Sequence, residues 1–275
     1  MTNNGIELSL TGTILKYEFL TWNLGILYAH NRNRINYVNT EAPSSFYQIY
    51  NSNMFPRAGE DLNSIYAYKW AGLNNKGMPQ VYDGDGKAVS TDPDDLLAVH
   101  AYGSKVPIHS GSFHTQLTYK NFSLSALFIF ELGHKIKNTN VPIIDVAYSS
   151  PIDSYISDIS AVNKDIVNSW RNPGDEYKTN VPRLTYGYEP DFNINSRYIY
   201  YNSSLNIINA SNVRLSNLSL AYQMPYSLIK KIKIQDIRFN LNVENVFTAA
   251  ENSQAKYLLN GFQSPSLVLG VNINL

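Results

Sequence analysis

The sequence predicts an all-β fold: an antiparallel, up-and-down wall of about seven strands, of the kind that crosses a membrane as part of a transmembrane β-barrel. Three observations carry that reading. Apolar and polar residues alternate with period two over unusually long runs. Most of these runs are roughly 8 to 13 residues long, whereas ordinary strands have a mode of about 5–6 and bilayer-spanning strands need about 9–11. The connections are short and long in strict alternation, as a barrel with tight turns on one rim and large loops on the other requires.

The elements follow in chain order. Segment 5–14 places Ile6, Leu8 and Leu10 on one side. In 20–30, Leu20, Trp22, Leu24, Ile26 and Tyr28 share a face, with Thr21, Asn23 and Gly25 opposite. Segments 112–119 and 122–132 form a hairpin that turns at Lys120-Asn121. In 210–222, Val213 and Leu215 are followed by Leu218, Leu220 and Tyr222, a phase slip that predicts a bulge near Asn217. Segment 236–245 sets Ile237, Phe239, Leu241 and Val243 against Asp236, Arg238, Asn240, Asn242 and Glu244. The last run sets Leu267, Leu269, Val271, Ile273 and Leu275 against Gly270, Asn272 and Asn274.

Turns 15–19 and 120–121 are short and 223–235 is moderate, whereas 32–111, 133–209 and 247–265 are long. A compact soluble domain rarely holds structureless loops of that size. IYAYKWAGL at 65–73 reads as a further strand. In 158–170, Ile159, Val162, Ile166, Val167 and Trp170 fall at helical spacing ahead of Pro173-Gly174, which predicts one short loop helix. No linker or charge block divides the chain.

Composition narrows the function. The 275 residues contain 22 Lys plus Arg and 22 Asp plus Glu, so the formal net charge is zero. A protein that coats a nucleic-acid backbone needs a basic excess, so no nucleic-acid partner is expected. An aromatic content of 13% with only 16% charged residues excludes a disordered tail. Asparagine is abundant, at 33 residues. Cysteine is absent, which removes disulfides, Cys-ligated zinc and thiol catalysis. No apolar run reaches 18 residues, so no helix is expected to cross a membrane. After Met1 the chain reads TNNGIELSL, without the basic and apolar regions of a secretory leader.

Candidate chemistry is sparse, and no cofactor is expected. YDGDGK at 82–87 brings Asp83 and Asp85 into a glycine-rich turn. That spacing can open a calcium loop, but its twelfth position is Asp94, preceded by Pro93, and the ordinary alternative is a hairpin turn. Acid pairs for glycoside hydrolysis could be drawn from Asp92, Asp94, Asp95, Asp175 and Glu176. No spacing selects among them, and carboxylates in polar loops are usually just solvated. His30, His100, His109, His114 and His134 form no HExxH or HxH pair, and no GxSxG elbow is present. The expectation is a protein that is not an enzyme. The loop aromatics Tyr66, Tyr68, Trp70, Trp170, Tyr198, Tyr200 and Tyr201 could stack on substrate, with Tyr66, Trp70, Trp170, Tyr198 and Tyr200 the chosen candidates. Their other reading is loop packing or an interfacial aromatic girdle.

Several stretches, taken together and in order, resemble the C-terminal part of SusC/RagA-type TonB-dependent outer-membrane transporters. They are NNGIELSL at 3–10, TWNLGILYAHNRN at 21–33, AGLNNKGMPQVYDGDGKAV at 71–89, VPIHSGSFHTQLTYKNFSLSALFIFELGHKI at 106–136, SWRNPGDE at 169–176, NASNVRLSNLSLAYQMP at 209–225, NVENVFT at 242–248 and SPSLVLGVNINL at 264–275. The resemblance implies the C-terminal portion, 1–275, of a 22-stranded barrel in the outer membrane. It implies partnership with a SusD-like surface lipoprotein, powering by the TonB complex, and import of oligosaccharides or peptides. Plug domain, TonB box and signal peptide are absent from this sequence, and Leu275 stands where such barrels usually end in an aromatic.

Cost then dictates facing. Arg or Lys near the bilayer midplane costs roughly 2–4 kcal/mol on the lipid face. Arg238 and Glu244 should therefore look into the lumen and Ile237, Phe239, Leu241 and Val243 toward lipid. Large loops normally lie outside the cell, which would make 32–111 and 133–209 extracellular. The competing reading is a secreted, soluble β-sandwich that binds carbohydrate, since antiparallel sandwiches also alternate.

Overall fold

A computed structural model describes residues 1–39, 56–139, 141–142, 163–184, 194–230, 234–260 and 263–274. Strands β1 (Thr2–Lys16) and β2 (Leu20–Arg34) open the chain as a hairpin. The first long connection carries β3 (Ser64–Tyr68), β4 (Trp70–Leu73), β5 (Pro79–Tyr82), β6 (Ala88–Val89) and β7 (Val99–Ser104). A second hairpin follows, β8 (His109–Tyr119) and β9 (Phe122–Leu132). The second long connection carries β10 (Lys135–Lys137), helix α1 (Ile194–Tyr201) and β11 (Ile207–Asn209). The chain continues through β12 (Asn212–Gln223), α2 (Tyr226–Ile229), β13 (Asp236–Ala250), α3 (Ala255–Asn260) and β14 (Ser266–Asn274).

The chain divides into two compact units. The first contains one seven-stranded sheet in the order β1-β2-β8-β9-β12-β13-β14. Each of its strands neighbours the one that precedes it among the seven, so the sheet is an uninterrupted up-and-down meander, and the pairings from β2 to β14 are all antiparallel. The sheet is not closed: β1 and β14 are its edges. Strand lengths run from 9 to 15 residues, long enough throughout to cross a bilayer. The seven strands predicted from alternation are these seven. The tight turn is where the sequence placed it: Tyr119 pairs Phe122, and Lys120 adopts a φ of 51° between them. The predicted bulge is also present, since the register of β12 shifts between Leu215 and Asn217 against both β9 and β13.

The sheet has almost no hydrophobic core of its own. Among the apolar residues of its strands only Leu215 and Ala221 are buried. The second unit, Arg34–Lys105 with Lys135–Ile208, is the opposite case. Here Tyr66, Tyr68, Val81, Ala98, Val99 and Ile199 form one buried cluster and Met78, Val141 and Tyr200 another. Strand β3 pairs antiparallel with β7, and β4-β5-β6 form a small meander. Two equivalent turns shape that meander. Asn74 accepts the N–H groups of Lys76 and Met78, and Asp83 those of Asp85 and Lys87. Gly77 (φ 73°) and Gly86 (φ 80°) supply the left-handed fourth positions, which glycine occupies without steric penalty. The NNKG and DGDG stretches are thus one structural device used twice.

Segment 65–73 makes two strands rather than one. The helix predicted over 158–170 is corrected in its described part: Lys164–Asn168 form a 3-10 turn, started where Asn163 accepts the Asp165 N–H. Ile159 and Val162 lie outside the described residues, as does Leu275. Among the described residues, the α-helix of this connection is α1, whose INSRYIYY composition gives no helical signal by itself. Buried Ser196, Ile199 and Tyr200 show that packing, not propensity, holds it.

Candidate functional site

The register of the large sheet sorts its side chains into two faces. On one, Trp22, Leu117, Leu124, Leu220, Leu241 and Leu269 stand in a single row across six strands. One row toward the short-turn end come Leu20, Tyr119, Phe122, Tyr222, Phe239 and Val271. Toward the other end a row of Ile26, Phe113, Phe128, Leu215 and Phe247 is followed by Tyr28, Gly111, Phe130, Val213 and Ala249. A leucine band is therefore flanked on both sides by aromatic rows. Rings touch within them: Phe122 and Tyr222 have centroids 4.6 Å apart, and Phe113 and Phe128 6.0 Å. Apart from Leu215, these apolar side chains are exposed or half-exposed, with Leu124 at 44%, Leu220 at 41% and Leu269 at 75% exposure. A contiguous apolar face of this kind marks an interaction surface, and its layout is that of a lipid-facing band with interfacial aromatic girdles. Two pairs of polar side chains on it are bonded across neighbouring strands. The Trp22 indole donates to Thr115 Oγ1 at 2.8 Å, and the Tyr28 hydroxyl meets His109 Nδ1 at 2.8 Å.

The other face carries Asn23, Gln116, Ser125, Ser219 and Asn242 in one row, and Thr21, Thr118, Ser123 and Asn240 in the next. Thr13 Oγ1 donates to Asn23 Oδ1 at 2.8 Å, and Ser219 Oγ to Asn242 Oδ1 at 2.5 Å. Arg238 and Glu244 stand on this face, as the sequence predicts from desolvation cost. Leu27, Leu127 and Ile129 interrupt it toward the long-connection end.

The aromatic candidates lie in the second unit. Tyr66 and Tyr200 are 3% and 2% exposed and belong to its two apolar clusters, and Tyr68 is 1% exposed. Burial raises the hydroxyl pKa of all three, and the bond from Tyr68 to Asp92 at 2.8 Å adds to the rise there. Trp70, Trp170, Tyr198 and Tyr201 keep part of their surface open. The Trp70 ring tilts against Tyr200 with centroids 5.8 Å apart, and its indole N–H donates to Asn180 Oδ1 at 3.1 Å. The Trp170 indole lies against Gly77, where an added Cβ would come within 2.5 Å of the ring, and its N–H donates to Glu176 Oε2 at 3.0 Å. That bond, with the Gly174 N–H, holds Glu176 below the usual carboxylate range. Trp70 and Trp170 are thereby fixed in orientation.

The candidate acids have turn-building partners. Asp95 accepts the Leu97 N–H, Asp92 that of Asp94, and Asp175 those of Arg171 and Asn172 as well as the Lys178 ammonium at 3.3 Å. The SWRNPGDE stretch is therefore a self-braced turn. Asp83 is committed to its hairpin turn, and Asp85 lies on the same turn with its N–H on Asp83. No cluster of three or more metal-ligating side chains is found among the described residues. One contact has no local signal: His30 and His109, unremarkable in the chain, are an opposed pair on β2 and β8 with ring centroids 4.8 Å apart.

No family model matches the chain. Among curated proteins it is similar to TonB-dependent receptor P3 of Formosa agariphila, with 25% identity over 267 residues, covering 90% of this chain and 24% of that protein. Among solved structures it is similar to the RagAB peptide importer in the open-open state, with a TM-score of 0.71, 21% identity, and coverage of 99% of this chain and 28% of that one. A second RagAB peptide transporter structure matches with a TM-score of 0.72 and 21% identity over 98% of this chain and 29% of that one. The chain thus spans about a quarter of the length of the curated relative it matches. The soluble-sandwich reading is not favoured: the described residues contain no second large sheet packed on the first, and the apolar face is open. In sequence and in fold, the chain is similar to part of a SusC/RagA-type TonB-dependent outer-membrane transporter.

Proposed function

We propose that this chain is the C-terminal portion of a TonB-dependent transporter in the outer membrane, and that it serves import of oligomeric nutrients, either peptides or oligosaccharides. The single observation that carries the reading is the two-faced ladder. Six strands present the same apolar row outward and polar rows inward, an order that a bilayer rewards and water does not. The apolar face then meets lipid and the polar face lines the aqueous interior. In hydrocarbon every backbone N–H and C=O must be paired, so the edges β1 and β14 need further strands to close the wall. A 22-stranded closure, completed by additional barrel strands, is the arrangement proposed. Residues 1–275 alone should then conduct no ions and take up no substrate.

The long connections face the cell exterior in this reading. They are the proposed contact region for arriving substrate and for a SusD-like lipoprotein, and the TonB complex would act through a preceding plug domain. Trp70, Trp170 and Tyr198 are the aromatics through which stacking on substrate is proposed. Tyr66 and Tyr200 would act beneath them, shaping the unit that holds them.

The test exploits the absence of cysteine from these 275 residues, with any cysteine elsewhere in the transporter first replaced by serine. Single cysteines at Leu241, Leu220 and Leu117, and at Asn240, Asn242 and Ser219, are placed in the transporter in intact outer membranes. The first three should resist a charged aqueous maleimide, and the second three should react with it. Equal aqueous labelling of both sets would overturn the proposal.

A further inference from the structure

The bulge of β12 has a chemical consequence. Below it, Leu218, Leu220 and Tyr222 share the apolar face; above it, that face is occupied by Val213 and Leu215. An unbroken strand would keep even-numbered residues on one side throughout. Arg214 would then point into the leucine and phenylalanine rows. The extra residue turns it to the polar face instead, opposite Thr248. There Arg214 lines a cavity of about 280 Å³ together with Asn245, Thr248, Lys256, Tyr257 and Gln263. Asn245 contributes through a second irregularity, a left-handed φ of 53° on the facing strand β13. Lys256 comes from α3 in the connection that follows, 5.7 Å from the Tyr257 ring centroid. The lining carries two cations, several neutral hydrogen-bonding side chains, the apolar Val246, Phe247 and Pro265 and, among the described residues, no carboxylate.

We propose that this cavity is an anion-binding subsite on the lumen face, and that it takes a carboxylate of an acidic oligomeric substrate between Arg214 and Lys256. Arg214 provides a planar fork suited to a carboxylate, and the bulge is the device that aims it, as bulges beside functional sites do. The inference rests on the transporter reading for the word lumen. Its test is a binding measurement on purified protein, so the two can fail separately.

The experiment uses the complete transporter purified in detergent. Titration calorimetry measures an N-acetylated tetraglutamate and a tetragalacturonate, with N-acetylated tetraglutamine and maltotetraose as neutral controls. At least one acidic probe should bind at least tenfold more tightly than its neutral control. Which one does so distinguishes a peptide from a uronate source. Arg214→Gln and Lys256→Gln should each weaken that acidic probe by tenfold or more and leave the neutral control unchanged. Arg214→Lys should retain part of the affinity, which separates lost charge from lost fold. Acidic and neutral probes binding alike, no acidic probe binding, or acidic binding that survives Lys256→Gln would each overturn the proposal. Lys256 is exposed on α3, so its variant carries little risk to folding.

Discussion

Arg214 and Leu218 are four residues apart on β12, yet they face opposite sides of the sheet, because the register slips between Leu215 and Asn217. Deleting Ser216 should remove the slip without changing any facing, because Val213, Leu215, Leu218 and Leu220 then alternate unbroken and Arg214 stays on the polar face. Only an unbulged strand that keeps Ser216 would put Arg214 on the apolar face, at roughly 2–4 kcal/mol near midplane. The deletion should therefore yield assembled, heat-modifiable protein in outer membranes at close to the parent level, and adding Arg214→Leu should bring no gain. A sharp loss of assembly in the deletion that Arg214→Leu recovers would refute this account of the bulge.

Facing makes a paired prediction on the neighbouring strand. Leu241→Arg puts a cation into the leucine row between Leu220 and Leu269, and should impair assembly by roughly 2–4 kcal/mol. Asn240→Arg puts the same cation on the polar face between Ala221 and Gly270, and should be tolerated to within about 1 kcal/mol. Urea unfolding from lipid vesicles measures both; equal costs would contradict the assignment.

The Trp170–Gly77 contact predicts a graded effect in the second unit. Gly77→Ala meets both a positive φ of 73° and the indole at 2.5 Å. Gly86→Ala meets only a positive φ of 80°, with nothing within 4 Å. A left-handed alanine costs about 1–2 kcal/mol, so Gly86→Ala should lose about that much and Gly77→Ala distinctly more. Tryptophan fluorescence during urea unfolding reads the difference. Similar losses would show that the indole yields freely.

Lys137 predicts a pH dependence. Burial, with Lys105 nearby, lowers its pKa from 10.5 to about 8, and its ammonium donates to Asn202 Oδ1 at 2.6 Å. Below about pH 8 the group is charged in both folded and unfolded chains, and the desolvation penalty is fully present. Between about 8 and 10.5 the unfolded chain keeps the proton that the folded one has released. Stability therefore rises with pH across that window. The urea midpoint of the second unit, measured from pH 7 to 9.5, below the range in which tyrosines of the unfolded chain ionise (about 10), should increase, and Lys137→Met should flatten the increase. A falling midpoint in the parent and variant alike would show that another group dominates.

Much of the wall was legible because its signal is local. Each strand writes its two faces into alternate residues, so Ile237, Phe239, Leu241 and Val243 announce a face without knowing their neighbours. The slip at 215–218 was visible for the same reason. The second unit was less legible. Its strands are short and its helix α1 is held by contacts with distant residues, so local periodicity carries little of its structure. The loop tyrosines illustrate the limit: Tyr66 and Tyr198 look alike in the chain, but only folding makes the first a buried core residue and leaves the second part-exposed.

By itself, the sequence determined the number and order of the wall strands, their facing, the hairpin turn and the bulge. All of these follow from solvent preference acting on adjacent residues. The tertiary structure alone decided which rows align across strands, that His30 meets His109, that Trp170 closes over Gly77, and that Arg214 shares a cavity with Lys256. Those relationships depend on register and on chain segments returning from far away, and a one-dimensional pattern holds no information about which distant segment returns.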